Sequence, residues 1–308
     1  MKTFTNESAA MFTPARSNAL FHLLIGAVMI SFSGVWVKVS HVAPVVSACY
    51  RVFFGGLILL AVASMQREAI WRDRRFLARG LLCGLFFALD LALYHYAVHY
   101  VGPGLGTILP NFQVFILAAV GVLFLGERLH LAFVAAVPLA LLGLLLVVGV
   151  DGSAPGADDR RGVICGLGAA ACYAGFLLSI RKLQGEQQGV SFFSVLTLVS
   201  LATAAFLALE VLRLGASFVI PDGRSWLALI ALGFGSQFAG WLLITNALPH
   251  IRASLSGLIL LLQPALAFVW DVLFFQRPTS LLNWTGVALA LFAIYLGTYR
   301  PGNGRQRL

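Results

Sequence analysis

Long apolar stretches recur ten times along this chain, separated only by short polar breaks. A bilayer's hydrocarbon core requires about 20 apolar residues per crossing helix. The stretches fall at 19–38, 43–64, 78–99, 104–125, 130–150, 162–181, 190–212, 225–248, 253–275 and 281–299. Turn signals mark the breaks, among them Ala43-Pro44, Val101-Gly102-Pro103, Pro221-Asp222-Gly223 and Arg277-Pro278. Only 11% of the residues are charged and 60% are hydrophobic, so no segment remains that could build a separate water-soluble domain. The rhythm predicts an all-α integral membrane protein of ten transmembrane helices. Residues 1–18 lack the pattern of a cleaved signal peptide, so the first apolar run is expected to be a retained helix.

The net charge of +9 does not point to nucleic acid, because basic residues beside membrane spans set orientation. With the N-terminus in the cytoplasm, 14 loop and tail Lys and Arg lie inside and 6 lie outside. The inside set includes Arg67, Arg74, Arg128, Arg181 and Arg252, and the outside set includes Lys38, Arg213 and Arg277. Both termini are therefore expected in the cytoplasm. Cys49, Cys83, Cys165 and Cys172 all sit in apolar runs without metal-ligand spacing and read as small packing residues.

The halves resemble each other. Moving residues 99–149 forward by 150 places Gln113 on Gln263, Phe124 on Phe274 and Glu127 on Arg277. Five spans per half is an odd number, so the second half would enter the membrane from the opposite side. The fold expected is two inverted-topology five-helix repeats around a central cavity, a plan common in secondary transporters. The predicted divisions are a cytoplasmic tail at 1–18, a first repeat at 19–150, a linker at 151–161, a second repeat at 162–299 and a basic cytoplasmic tail at 300–308.

Three motifs sharpen this. Ala43-Pro44 is followed by Tyr50-Arg51; Leu123 to Leu129 reads LFLGERL; and Gln263-Pro264 is followed by Phe274-Phe275-Gln276-Arg277. In these the chain resembles the ten-helix EamA-type branch of the drug/metabolite transporter superfamily, and within it the bacterial aromatic amino-acid exporters. The second copy departs from the pattern by carrying Arg277 where the first has Glu127. The resemblance implies a basket-shaped bundle in the bacterial inner membrane that exports amino acids or related small metabolites.

Polar groups at bilayer depth are the first functional candidates, since an ionised side chain there costs about 2.5–3.5 kcal/mol on insertion scales. Asp90 and Tyr94 share one face of the third span, with His95 about 100° around. They are expected to line a cavity, with Asp90 attracting a substrate ammonium and aromatic rings stacking on it. Thr107 and Asn111 share a stripe of span 4 that Pro110 interrupts. Gln237, Trp241 and Thr245 recur every four residues, and Ser256, Gln263 and Trp270 every seven. Ser33, Trp36 and Tyr173 complete the predicted substrate-binding set of Ser33, Trp36, Asp90, Tyr94, His95, Asn111, Tyr173, Gln237, Trp241, Gln263 and Trp270. Pro110 and Pro264 are predicted hinges. Arg51 reads as structural, neutralising an acidic partner or a helix end.

No G-x-x-x-x-G-K-[ST], HExxH or CxxC pattern occurs, so neither an ATP-driven engine nor a metal or other cofactor is expected. Asp90 and His95 are candidates to carry a coupling proton. The expected partners are a small-molecule substrate and membrane lipid, and oligomeric state is left open. The alternatives are export of amphipathic drugs or purine-type metabolites, an intramembrane lipid-modifying enzyme, and a scaffold.

Overall fold

The computed structural model describes residues 16–68, 73–148, 157–185 and 191–298. Ten helices are long and apolar enough to cross a membrane. They are α1 (Asn18–Val39), α2 (Pro44–Met65), α3 (Arg74–Val101), α4 (Gly106–Leu125), α5 (Leu131–Val148), α6 (Arg160–Gly185), α7 (Phe192–Arg213), α8 (Gly223–His250), α9 (Ala253–Phe275) and α10 (Leu281–Thr298). In hydrocarbon every backbone N–H and C=O must be paired within the segment, which a helix achieves. The boundaries agree with the apolar rhythm to within a few residues. The exceptions are α3 and α6, which extend past it through basic turns such as Arg74-Arg75 and Arg181-Lys182. The expected tails and most of the linker lie outside the described residues.

Local chemistry fixes the helix ends. Pro44 opens α2 at the position where its missing N–H has no intrahelical partner to lose. Asp222 caps α8, its carboxylate accepting from the Ser225 N–H at 2.7 Å, and Ser191 caps α7 through the Phe193 N–H at 3.1 Å. The reversal between α3 and α4 is tight. A Cβ on Gly106 would fall 2.6 Å from the Val98 Cα, so only glycine fits there.

Each helix has a principal neighbour: α2 packs on α7, α5 on α10, α1 on α8, α3 on α6, α4 on α6 and α9 on α1. Stepping every number forward by five converts this set into itself. Small residues allow the close crossings. At the α5–α10 crossing, a Cβ on Gly143 would lie 2.6 Å from the Ala290 nitrogen, and one on Gly286 would lie 2.6 Å from the Gly143 oxygen. Large apolar side chains such as Phe21, Leu123, Leu131, Ile164 and Leu281 face outward, as lipid-facing positions should. Ser194, Thr197, Ser200, Thr203, Gln113 and Gln237 are turned inward.

Four spans depart from plain α-helix. The first is interrupted at Phe32. The fourth passes through a 3-10 turn at Leu109–Phe112, around the predicted hinge Pro110. The eighth contains a π-helical stretch, Gly233–Gly240. The ninth is broken at Leu261, between helical segments Ala253–Leu260 and Leu262–Phe275. That last break lies three residues before the predicted hinge Pro264. Pro264 sits inside the second segment, and the ladder opens a turn earlier because proline's ring clashes with the carbonyl four residues back.

Candidate functional site

Near mid-depth, four rings from three helices form a box: Phe87 of α3, Tyr173 and Phe176 of α6, and Trp241 of α8. Phe87 stacks on Phe176 with centroids 4.3 Å apart, and Trp241 meets both edge-on at 5.4 and 4.8 Å. Tyr173 stands edge-on to Trp241 at 6.4 Å. Aromatic pairs of this geometry contribute about 0.5–1.5 kcal/mol each beyond their burial. Phe87, Phe176 and Trp241 are at most 2% exposed, whereas Tyr173 is only half-buried. The box is therefore rigid on three sides, and the tyrosine forms its accessible wall.

Polar groups gather around it. Asp90 lies one turn beyond Phe87 on α3 and is buried. Tyr94, a further turn on, has its hydroxyl within hydrogen-bonding reach of Thr107 on α4. The Tyr173 hydroxyl is within reach of the Gln263 side chain on α9. Arg51 of α2 holds its guanidinium carbon 5.9 Å from the Phe87 ring centroid and lies in the electrostatic field of Asp90. Trp241 Nε1, Thr245 Oγ1, Gln263 Nε2 and Arg51 Nε are all buried without a hydrogen-bond partner. An unmet buried donor or acceptor costs about 1–3 kcal/mol, which a polar ligand beside the box could offset.

Two polar seams close the bundle at opposite ends. At one, Glu127 accepts from the Ala253 and Ser254 N–H groups at 2.6 and 3.2 Å and from the Ser254 hydroxyl at 2.5 Å. Beside it, Arg181 donates to the Ile251 carbonyl at 2.5 Å and Arg252 to the Arg128 carbonyl at 2.9 Å. At the other end, Asp271 pairs with Lys38 and, at 3.5 Å, with Arg277. There also His41 meets Asp222 at 3.1 Å. The Ser225 N–H, followed by His41, pulls the Asp222 carboxyl down to about 2. Tyr96 donates to Glu210 at 2.5 Å, and Arg213 binds that same carboxylate.

A bundle of ten spans with a polar, aromatic centre and seams at both ends is the anatomy of a carrier. The model of the EamA-like transporter family matches twice, over residues 17–149 and 160–299. The chain belongs to the EamA-like transporter family. Among its relatives is a pseudopaline exporter of Pseudomonas aeruginosa strain UCBPP-PA14, 26% identical over 278 residues, covering 88% of this chain and 94% of that one. Another is the uncharacterized transporter YwfM of Bacillus subtilis strain 168, 25% identical over 258 residues, covering 80% and 84%. A crystal structure with 21% sequence identity superposes with a TM-score of 0.78, covering 92% of this chain and 97% of that one, which fixes the shared fold.

In this EamA-like transporter the sequence-predicted residues divide. Asp90, Tyr94, Tyr173, Trp241 and Gln263 come together around the box. Gln237 does not share the Trp241 wall: its amide donates to Ser200 on α7 at 2.8 Å, and its Cβ lies 2.4 Å from where a Cβ on Gly55 of α2 would stand. Trp270 donates to Ser31 at 2.7 Å and stacks on Phe32 at 4.2 Å, so it serves the α1–α9 seam. The break at Leu261 separates Ser256 from Gln263 and Trp270, which stay on one segment, Leu262–Phe275, two turns apart in depth. Ser33 bonds Ser236 and the Ile30 carbonyl, tying α1 to α8. Trp36 is half-buried in the last turn of α1. His95 is held by the Leu91 carbonyl at 2.5 Å, and the Asn111 amide donates to the Thr107 carbonyl at 2.7 Å, across the 3-10 turn. Among the described residues no group of three His, Cys, Asp or Glu could hold a metal ion. Phe87 and Phe176 were not singled out by the sequence, because nothing separates them from the other phenylalanines among 24.

Proposed function

We propose that this EamA-like transporter exports amino acids, aromatic and other neutral ones first, or closely related small metabolites, across the bacterial inner membrane by alternating access. One observation carries the reading: a buried carboxylate, Asp90, stands one helical turn from a box of four aromatic rings in the middle of the bundle. A carboxylate attracts an ammonium group, and the rings accept a planar or apolar side chain. The pseudopaline exporter among the relatives supports export as the direction of net movement.

Alternating access is the motion that the proposed inverted repeat permits. The two halves rock about the box, and the Glu127 and Asp271 seams open in turn. Pro110 and the break before Pro264 give α4 and α9 the places to bend. The basic loops support a cytoplasmic position for both termini, and on that reading the Glu127 seam faces the cytoplasm. Asp90 is the group to exchange a proton for substrate, since Glu210 and Asp271 are already engaged with Arg213 and with Lys38 and Arg277.

The test is counterflow in proteoliposomes with a competitor panel of amino acids, purines and amphipathic cations, with and without a proton gradient. The reading requires saturable exchange of a neutral amino acid, inhibited by aromatic ones and driven by an opposing proton gradient. Exchange restricted to purines or amphipathic cations would replace it.

A further inference from the structure

Arg51 is the residue that the fold leaves without a structural purpose. It lies about a third of the way along α2, seven residues past its first residue. An arginine kept at such depth for stability would be expected to close on the nearest carboxylate in a two-pronged ion pair. Asp90 is that carboxylate, and each group lies in the other's field. Yet no ion pair or hydrogen bond joins them among the described residues, and Arg51 Nε is buried with no partner. Phe87 lies under the guanidinium at 5.9 Å, and Tyr173 stands in the fields of both the cation and the anion. Arg51 as a whole is only half-buried. The result is a cation and an anion beside one aromatic cluster, not bonded to each other, with the Arg51 Nε donor unused.

We propose that Arg51 and Asp90 form a two-point clamp for a zwitterion, Arg51 receiving the carboxylate and Asp90 the ammonium of an α-amino acid. This rests on the amino-acid reading above and makes Arg51 a binding residue. The planar fork of arginine suits a carboxylate in two-pronged contact, and the Phe87 face fixes the plane of that fork. Substrate binding then satisfies both charges at once. The Tyr173 and Trp241 rings flank the amino acid's side chain.

The clamp is tested by binding of four probes to purified protein: phenylalanine, its methyl ester, phenethylamine and N-acetylphenylalanine. The proteins are the natural chain, Arg51→Gln, Arg51→Lys and Asp90→Asn, each with its melting temperature measured in detergent. The natural chain should favour phenylalanine over both the ester and the amine by about 10- to 100-fold, the range for losing one charge-assisted hydrogen-bonded contact. Arg51→Gln should weaken phenylalanine by a similar factor while moving the amine by less than about 3-fold. Asp90→Asn should weaken the amine and spare the N-acetyl acid, and Arg51→Lys should fall between.

Equal loss of all four probes in Arg51→Gln at an unchanged melting temperature overturns the clamp. So does a natural chain that binds the ester as well as the amino acid, a comparison that needs no variant to fold. A natural chain that binds none of the four overturns the amino-acid reading itself, a result distinct from either.

Discussion

The turns that end α4 and α9 are the same backbone motif with opposite charges. Gly126 and Gln276, 150 residues apart, both adopt left-handed geometry, at φ 65° and 50°. The next residue is Glu127 in one and Arg277 in the other. Glu127 folds back over Gly121, where an added Cβ would stand 2.6 Å from its Oε2, and caps the start of α9. A carboxylate at a helix N-terminus satisfies orphan N–H groups and complements the helix dipole. The counterpart of Gly121 is Asp271, and there the base pairs with the acid on its own helix. Arg277 and Lys38 in that group are 40% and 52% exposed in their side chains. The comparison teaches that a duplicated fold need not have duplicated seams. One end is latched by a half-buried carboxylate bonded to main chain, and the other by solvent-exposed ion pairs that water and salt weaken.

Making the first turn like the second breaks the difference most severely. Glu127→Arg sets a cation against the N-terminus of α9, removes three hydrogen bonds and should cost about 2–4 kcal/mol. Thermal unfolding in detergent checks this, and substrate counterflow should fall at least about tenfold because that end no longer closes. A smaller change of opposite sign comes from Gln276→Gly, which relieves a left-handed side chain and should stabilise by about 0.5–1 kcal/mol. Arg277→Ala should cost no more than about 1 kcal/mol, an effect that disappears in concentrated salt, whereas the Glu127 effect persists.

The smallest effect concerns pH. The folded chain holds Asp222 at about 2, below the ordinary value of 3.8, so its contribution is present in full above pH 4 and is lost as pH falls towards 2. The gap in melting temperature between the natural chain and Asp222→Asn should therefore stay level from about pH 8 to 5 and close on acidification. A gap that changes near neutrality would contradict this assignment.

Most of the architecture was legible because the bilayer imposes one rule on every span, and apolar length with polar punctuation is that rule read in sequence. The centre was legible only in part. Asp90 and Tyr173 declared themselves by being polar at mid-depth. Trp241 and Trp270 carry the same signature, a tryptophan inside an apolar span, yet one closes the box and the other stacks on Phe32. Helical periodicity could not separate them, because α8 passes through a π-helical stretch and α9 is broken at Leu261, and either irregularity rotates the facing of every later residue in its span. Arg51 read as a structural cation because sequence cannot reveal that its acidic neighbour stays out of contact. The Arg277 departure was visible from the overlay of the halves, but its meaning required the Glu127 cap.

The most direct measurement is counterflow of labelled phenylalanine by proteoliposomes holding either the natural chain or Asp90→Asn, with melting temperatures measured in parallel. Saturable exchange by the natural chain, lost in a variant that melts at the same temperature, is the result expected if the aromatic box and its carboxylate bind the cargo. Undiminished exchange by Asp90→Asn, or none by the natural chain, would contradict it.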